Sequence, residues 1–215
     1  MKIKSFVVVA AFVVLTAFAV WNVAAAEKPF EGPYMMMGET ADLLAGEKIV
    51  VEEFISPTCP NCYLLWKNRQ PPAADVELKT YYVYQADHAV LPTRLLLVAR
   101  DLGAETEEKT LAMLFDAAFV QKVNIEDEEI IDALAGALGI ADAWQSKKNS
   151  TELKKKMDEL LAYLTEQGVE RTPRIVIQKA LVLTPRSSGV TAENLPKAIK
   201  ETIDGLRAYR QANKK

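Results

Sequence analysis

Two cysteines and one histidine are all the thiol and imidazole groups that this 215-residue chain offers. So few cysteines exclude a disulfide-laced miniature scaffold. The length suits one domain, or one domain with an insertion, and is enough for a core that needs no disulfide support. A structural zinc site usually needs four Cys or His ligands, and the single histidine, His88, lies far from the cysteine pair, so no metal site is expected. Basic residues are not in excess, with 26 Lys and Arg against 29 Asp and Glu, a formal charge of −3 and no basic stripe. Nucleic acid is therefore not an expected partner. Repeats and low-complexity segments are absent. The hydrophobic share of 50% and charged share of 26% are those of an ordinary globular protein.

What the chain does have is concentrated between Ile49 and Arg69. An apolar strand, Ile49-Val50-Val51-Glu52-Glu53-Phe54-Ile55, leads through Ser56-Pro57-Thr58 to Cys59-Pro60-Asn61-Cys62 and a helical Tyr63-Leu64-Leu65-Trp66. A first thiol at a helix N-terminus faces unpaired backbone N–H groups and the positive end of the helix dipole, which together stabilise a thiolate. Pro60 suits the first turn, where its missing N–H is not needed. Cys59 is thus expected to be the exposed nucleophile and Cys62 the buried resolving thiol. A purely structural staple is a poor alternative, because so short a ring removes little entropy from the unfolded chain.

The segment Glu53-Phe54-Ile55-Ser56-Pro57-Thr58-Cys59-Pro60-Asn61-Cys62-Tyr63 resembles the active site of the DsbA family of thioredoxin-fold disulfide oxidoreductases. The likeness includes a glutamate six residues before the first cysteine and a tyrosine just after the second. The best-known members carry histidine where this chain has Asn61, which points to a weaker oxidant here. The resemblance implies an α/β, thioredoxin-like fold with an inserted all-helical subdomain. It also implies a cis Thr172-Pro173 bond facing the disulfide, with backbone there pairing to substrate, and makes Glu53 a proton relay for Cys62. No cofactor is implied.

Residues 1–26, with Lys2 and Lys4 before an apolar run and Ala24-Ala25-Ala26 after it, read as a secretory signal peptide, a retained anchor being the alternative. Its loss takes two lysines and moves the formal charge from −3 to −5. The periplasm is the expected location, and exported proteins with free thiols the expected substrates. A DsbB-like membrane protein is the expected redox partner, and the chain is expected to be a monomer. The domain limits are 27–90 and 155–215 for the thioredoxin-like parts and 91–154 for the insertion.

Along the rest of the chain, Tyr34-Met35-Met36-Met37 reads as a short edge strand, with copper binding as the less economical reading. Val76 to Tyr84 is a strand by composition, completing a βαβ unit with a parallel pair. His88 follows as a solvated loop residue. Helical patterns then open at Pro92, at Thr106 (running to about Val123, with Leu111, Leu114, Phe115 and Ala118 on one face), at Asp127 and at Ala141. The next, capped near Ser150, buries Leu153, Met157, Leu160, Leu161 and Leu164. After the Thr172-Pro173 motif comes a hairpin, Ile175-Val176-Ile177 and Ala180 to Leu183. A final helix follows, capped by Thr191, with Leu195, Ile199, Ile203 and Leu206 as its stripe. Functionally, a disulfide donor acting by thiol–disulfide exchange is expected. The alternatives are an isomerase or reductase, suggested by threonine before Pro173, and a Cu(I)-handling thiol protein.

Overall fold

A computed structural model describes residues 28–85, 87–187 and 189–214. The leader read over residues 1–26 lies outside the described residues. Strand β2 (Ile49–Ile55) sits inside a five-stranded sheet of order β1-β5-β4-β2-β3. It is parallel to β3 (Val76–Tyr82), from Ile49 opposite Val76 to Ile55 opposite Tyr82. It is antiparallel to β4 (Arg174–Ile177), which pairs in turn with β5 (Leu181–Leu183). Helices packed on both faces of the sheet explain the near-continuous apolar run of β2, which is buried along almost its whole length. The edge strand β1 (Met35–Met36) is short, and Met35 and Met37 point outward. Gly38 follows it because any side chain there would meet the Ala180 Cα at 2.8 Å.

The helix after β2, α2 (Pro60–Asn68), and the last helix, α8 (Leu195–Ala212), cover one face of the sheet. On the other face α7 (Thr151–Glu166) brings Tyr163 against Tyr81 and Phe54. Between β3 and β4 the chain is helical throughout, apart from turns: α3 (Val90–Leu102), α4 (Ala104–Phe115), α5 (Glu128–Ala137), α6 (Ala141–Lys147) and α7. Helix α3 is the hub of this group, burying Leu95, Leu96, Val98 and Ala99 against α4 to α7. Gly103, at φ 122°, makes the reversal from α3 into α4 that a side-chain-bearing residue would resist.

Four expectations are corrected. The α4 pattern does not run on as one α-helix. After Phe115 the chain makes a π-turn, Asp116–Val120, closed by the Gln121 N–H donating to the Asp116 carbonyl at 3.0 Å. The wider turn shifts the face, so Ala117 rather than Ala118 is buried. Leu161 is 45% exposed, on the shoulder of the α7 stripe. Thr191 does not cap α8, because it exchanges hydrogen bonds with Asn194, the residue at the helix start. Strand β3 stops at Tyr82, and Tyr84 turns to donate its hydroxyl to the Met157 carbonyl.

Candidate active site

Cys59 occupies the N-cap of α2 with extended backbone (φ −94°, ψ 118°) and Pro60 in the first turn. Its sulfur accepts from the Cys62 N–H at 3.4 Å, so the first turn of the helix closes around it. The Cys59 thiol is partly exposed and lies 3.5 Å from the Thr172 carbonyl. Its pKa is lowered to about 6, chiefly by the hydrogen bond with the Cys62 side chain and then by Thr172 and the Cys62 and Asn61 backbone, against a burial that opposes ionisation. Cys62 is fully buried, and its sulfur accepts from the Ser56 N–H at 3.4 Å. Burial pushes its thiol well above the ordinary range. Two thiols one turn apart therefore differ in acidity and access as a nucleophile and a resolving thiol should.

The Thr172-Pro173 bond is cis, immediately before β4. Asn61, Thr172 and Pro173 line one cleft of about 560 Å³ beside Cys59. Asn61 sits in the first turn as a neutral residue and reaches Cys59 through its backbone N–H alone.

Glu52 and Glu53 are both buried, at 6% and 5% exposure. They point to opposite faces of β2. Glu52 accepts the Tyr163 hydroxyl at 2.7 Å, under α7. Glu53 lies 3.7 Å from the Arg69 guanidinium, which also pairs with Glu108 at 2.5 Å. Burial raises the pKa of Glu53, partly offset by Arg69. Among the described residues Glu53 makes no hydrogen bond to Cys62. It lines a groove of about 790 Å³ between α2 and α8, which gives it a route to solvent.

His88 is exposed, as expected, but not remote. Its Nε2 is 3.3 Å from the Thr58 hydroxyl, next to Cys59, and its Nδ1 is 2.7 Å from Glu126. The same Glu126 oxygen accepts from the Ala89 N–H at 2.7 Å. The loop after β3 is thereby tied both to the helical layer and to the cysteine loop. A second tie is aromatic, with Tyr63 stacking on Phe119 at 5.2 Å and Trp66 meeting Phe115 at 5.5 Å. Helix α2 is thus clamped by α4 and its π-turn. Neither tie is visible in local spacing, since each joins residues about thirty or more apart.

No protein-family model matches the chain, and no curated protein is similar to it in sequence. Solved structures are similar in three dimensions. Pseudomonas aeruginosa DsbA superposes with a TM-score of 0.65 at 19% identity, over 86% of this chain and 95% of that one. This chain has the fold of the DsbA proteins. The oxidoreductase DsbA from Xylella fastidiosa gives 0.59 at 22% identity over 77% and 90% of the two chains. The DsbA disulfide interchange protein from Klebsiella pneumoniae gives 0.57 at 18% over 85% and 100%. The DsbA fold, a thioredoxin-like sheet with an inserted helical layer, accounts for the long helical stretch between β3 and β4.

Proposed function

We propose that this DsbA-fold chain is a thiol–disulfide oxidoreductase that donates a Cys59–Cys62 disulfide to substrate proteins. The observation that carries the reading is the acidic, partly exposed Cys59 thiol held one turn from a buried, hard-to-ionise Cys62. A substrate thiolate attacks Cys59 Sγ, the Cys59–Cys62 bond breaks, and Cys62 leaves as a thiolate and takes up a proton. A second substrate thiolate then attacks the substrate sulfur of the mixed disulfide and expels Cys59 as a thiolate. Two substrate thiols become one disulfide, and the Cys59–Cys62 pair is reduced by two electrons. Expulsion of Cys59 is favoured because a thiolate of low pKa leaves readily.

Thr172 and Pro173 serve as the substrate-docking backbone, with Pro60 and Asn61 shaping the Cys59 environment. Glu53 handles protons for the pair by way of the groove it lines, since it has no direct bond to Cys62. We take 91–154 as the insertion, exported thiol proteins as substrates, a DsbB-like partner as reoxidant, and a periplasmic monomer as the working form. A second reading, isomerase or reductase, is favoured by Thr172, whose side chain and carbonyl both reach Cys59. A glutathione redox titration tests the reading and separates the two. An oxidising potential supports donation, a strongly reducing one supports reduction, and no exchange with glutathione contradicts both.

A further inference from the structure

Three arginines line the cleft beside Cys59. Arg171, Arg174 and Arg186 line it together with Asn61, Thr172 and Pro173, and Glu170 is the single carboxylate among its walls. Among the described residues none of the three arginines is in an ion pair, as is also true of Arg94 and Arg210, while Arg69, Arg100 and Arg207 are paired.

Arg174 is the most constrained of the three. Its Nη1 donates to the Gly168 carbonyl at 3.3 Å and its Nη2 lies 3.4 Å from Met37 Sδ. Its Nε is buried without a partner. Burial lowers its pKa, with only Glu170 acting in the other direction. A buried donor without an acceptor costs free energy unless something supplies one. Arg171 and Arg186 stand exposed on the same cleft. The thiolate is not what these cations serve, because Cys59 owes its acidity to Cys62, Thr172 and the backbone N–H groups. The cleft they line includes Thr172 and Pro173, the backbone read above as the docking site for substrate.

We propose that this cleft selects substrate segments carrying aspartate or glutamate beside the reacting cysteine. The proposal rests on the thiol-exchange reading above. Paired guanidinium and carboxylate groups give both orientation and specificity, and an excess of unpaired cations raises the encounter rate with acidic segments.

The test uses ten-residue fluorescent peptides that are identical except for acidic, neutral or basic residues flanking a central serine in place of cysteine. Binding to the oxidised full chain is read by anisotropy, so selectivity is measured whether or not exchange occurs. The acidic peptide should bind about tenfold more tightly than the basic one at low ionic strength, and the gap should close in high salt. Arg171→Glu with Arg186→Glu, both exposed and free of fold-bearing contacts, should reverse the order. Arg174→Gln should narrow the gap, provided circular dichroism shows a native fold. Equal binding of acidic and basic peptides, or an order unmoved by the double reversal, would overturn the proposal. The cysteine versions of the same peptides test the exchange reading separately. Charge-selective binding with no exchange would sink that reading and leave the selective cleft standing.

Discussion

Cys59 and Cys62 are the same residue in the same helical turn, yet one thiol has a pKa of about 6 and the other resists ionisation. The mouth of the site supplies donors to the first sulfur, the Cys62 N–H among them, with Thr172 across the cleft. The interior surrounds the second with apolar side chains and a single N–H from Ser56. Reactivity here is a property of position at a helix start, set by how much water and how many N–H groups each sulfur meets.

Removing one member of the pair should produce the largest effect. Cys62→Ser leaves the mixed disulfide at Cys59 without a resolving thiol, so covalent complexes should accumulate on non-reducing gels, while Cys59→Ser should give none. If the two variants behave alike, the assignment of roles is wrong.

Next comes the clamp that holds the helix bearing both sulfurs. Phe115 is fully buried and packs on Tyr63 and Trp66, so Phe115→Ala should cost roughly 3–5 kcal/mol in a denaturant titration. It should also narrow the difference between the thiols, seen as a rise in the Cys59 pKa. A large stability loss with an unchanged Cys59 would show that the helix start keeps its geometry without the clamp.

Asn61→His tests the mouth alone. A cationic imidazole in the first turn adds to the N–H groups already stabilising the thiolate, so the Cys59 pKa should fall and the reduction potential rise. Each pKa unit is about 1.4 kcal/mol, or about 30 mV for this two-electron couple. An unchanged or lower potential in a folded variant would place control of the thiolate elsewhere, in Thr172 or the backbone.

The smallest effect is expected on the interior side. Burial raises the Glu53 pKa in the folded protein, so its folded-state advantage is full below the unfolded carboxyl pKa and is lost as pH rises through the folded value. Glu53→Gln should therefore stabilise the protein at neutral pH, and the gain should vanish in acid. A destabilised variant at neutral pH would mean that the Arg69 pair outweighs the burial.

Much of this was legible in the chain itself. The bounds of β2, the helix opening at Pro60, the edge strand at Met35 and the Thr172-Pro173 motif follow from apolar runs, turn chemistry and the family resemblance. Local periodicity could not show the π-turn after Phe115, because a single extra residue per turn leaves composition unchanged. The burial of Glu52 could not be read from β2 alone, because it depends on α7 closing that face of the sheet through Tyr163, 111 residues on. His88 was within reach of inference. In a parallel pair the loops after both strands emerge at the same end of the sheet, so a residue just past β3 belongs beside the residues just past β2. The arginines around Pro173 carry no motif, and only their gathering along one cleft in space sets them apart.

The asymmetry of the two thiols is tested most directly by thiolate absorbance of the reduced protein across pH, with Cys59→Ser as the reference. One thiolate should appear with a midpoint at about 6, vanish in Cys59→Ser, and be followed by no second ionisation below the ordinary thiol range near 9. The reduced protein should gain stability relative to its unfolded chain between those two pH values, since a lowered thiol pKa stabilises the folded state above it and that contribution is lost as pH falls through about 6. Two thiols titrating together near 9, with flat stability across that window, would contradict the account.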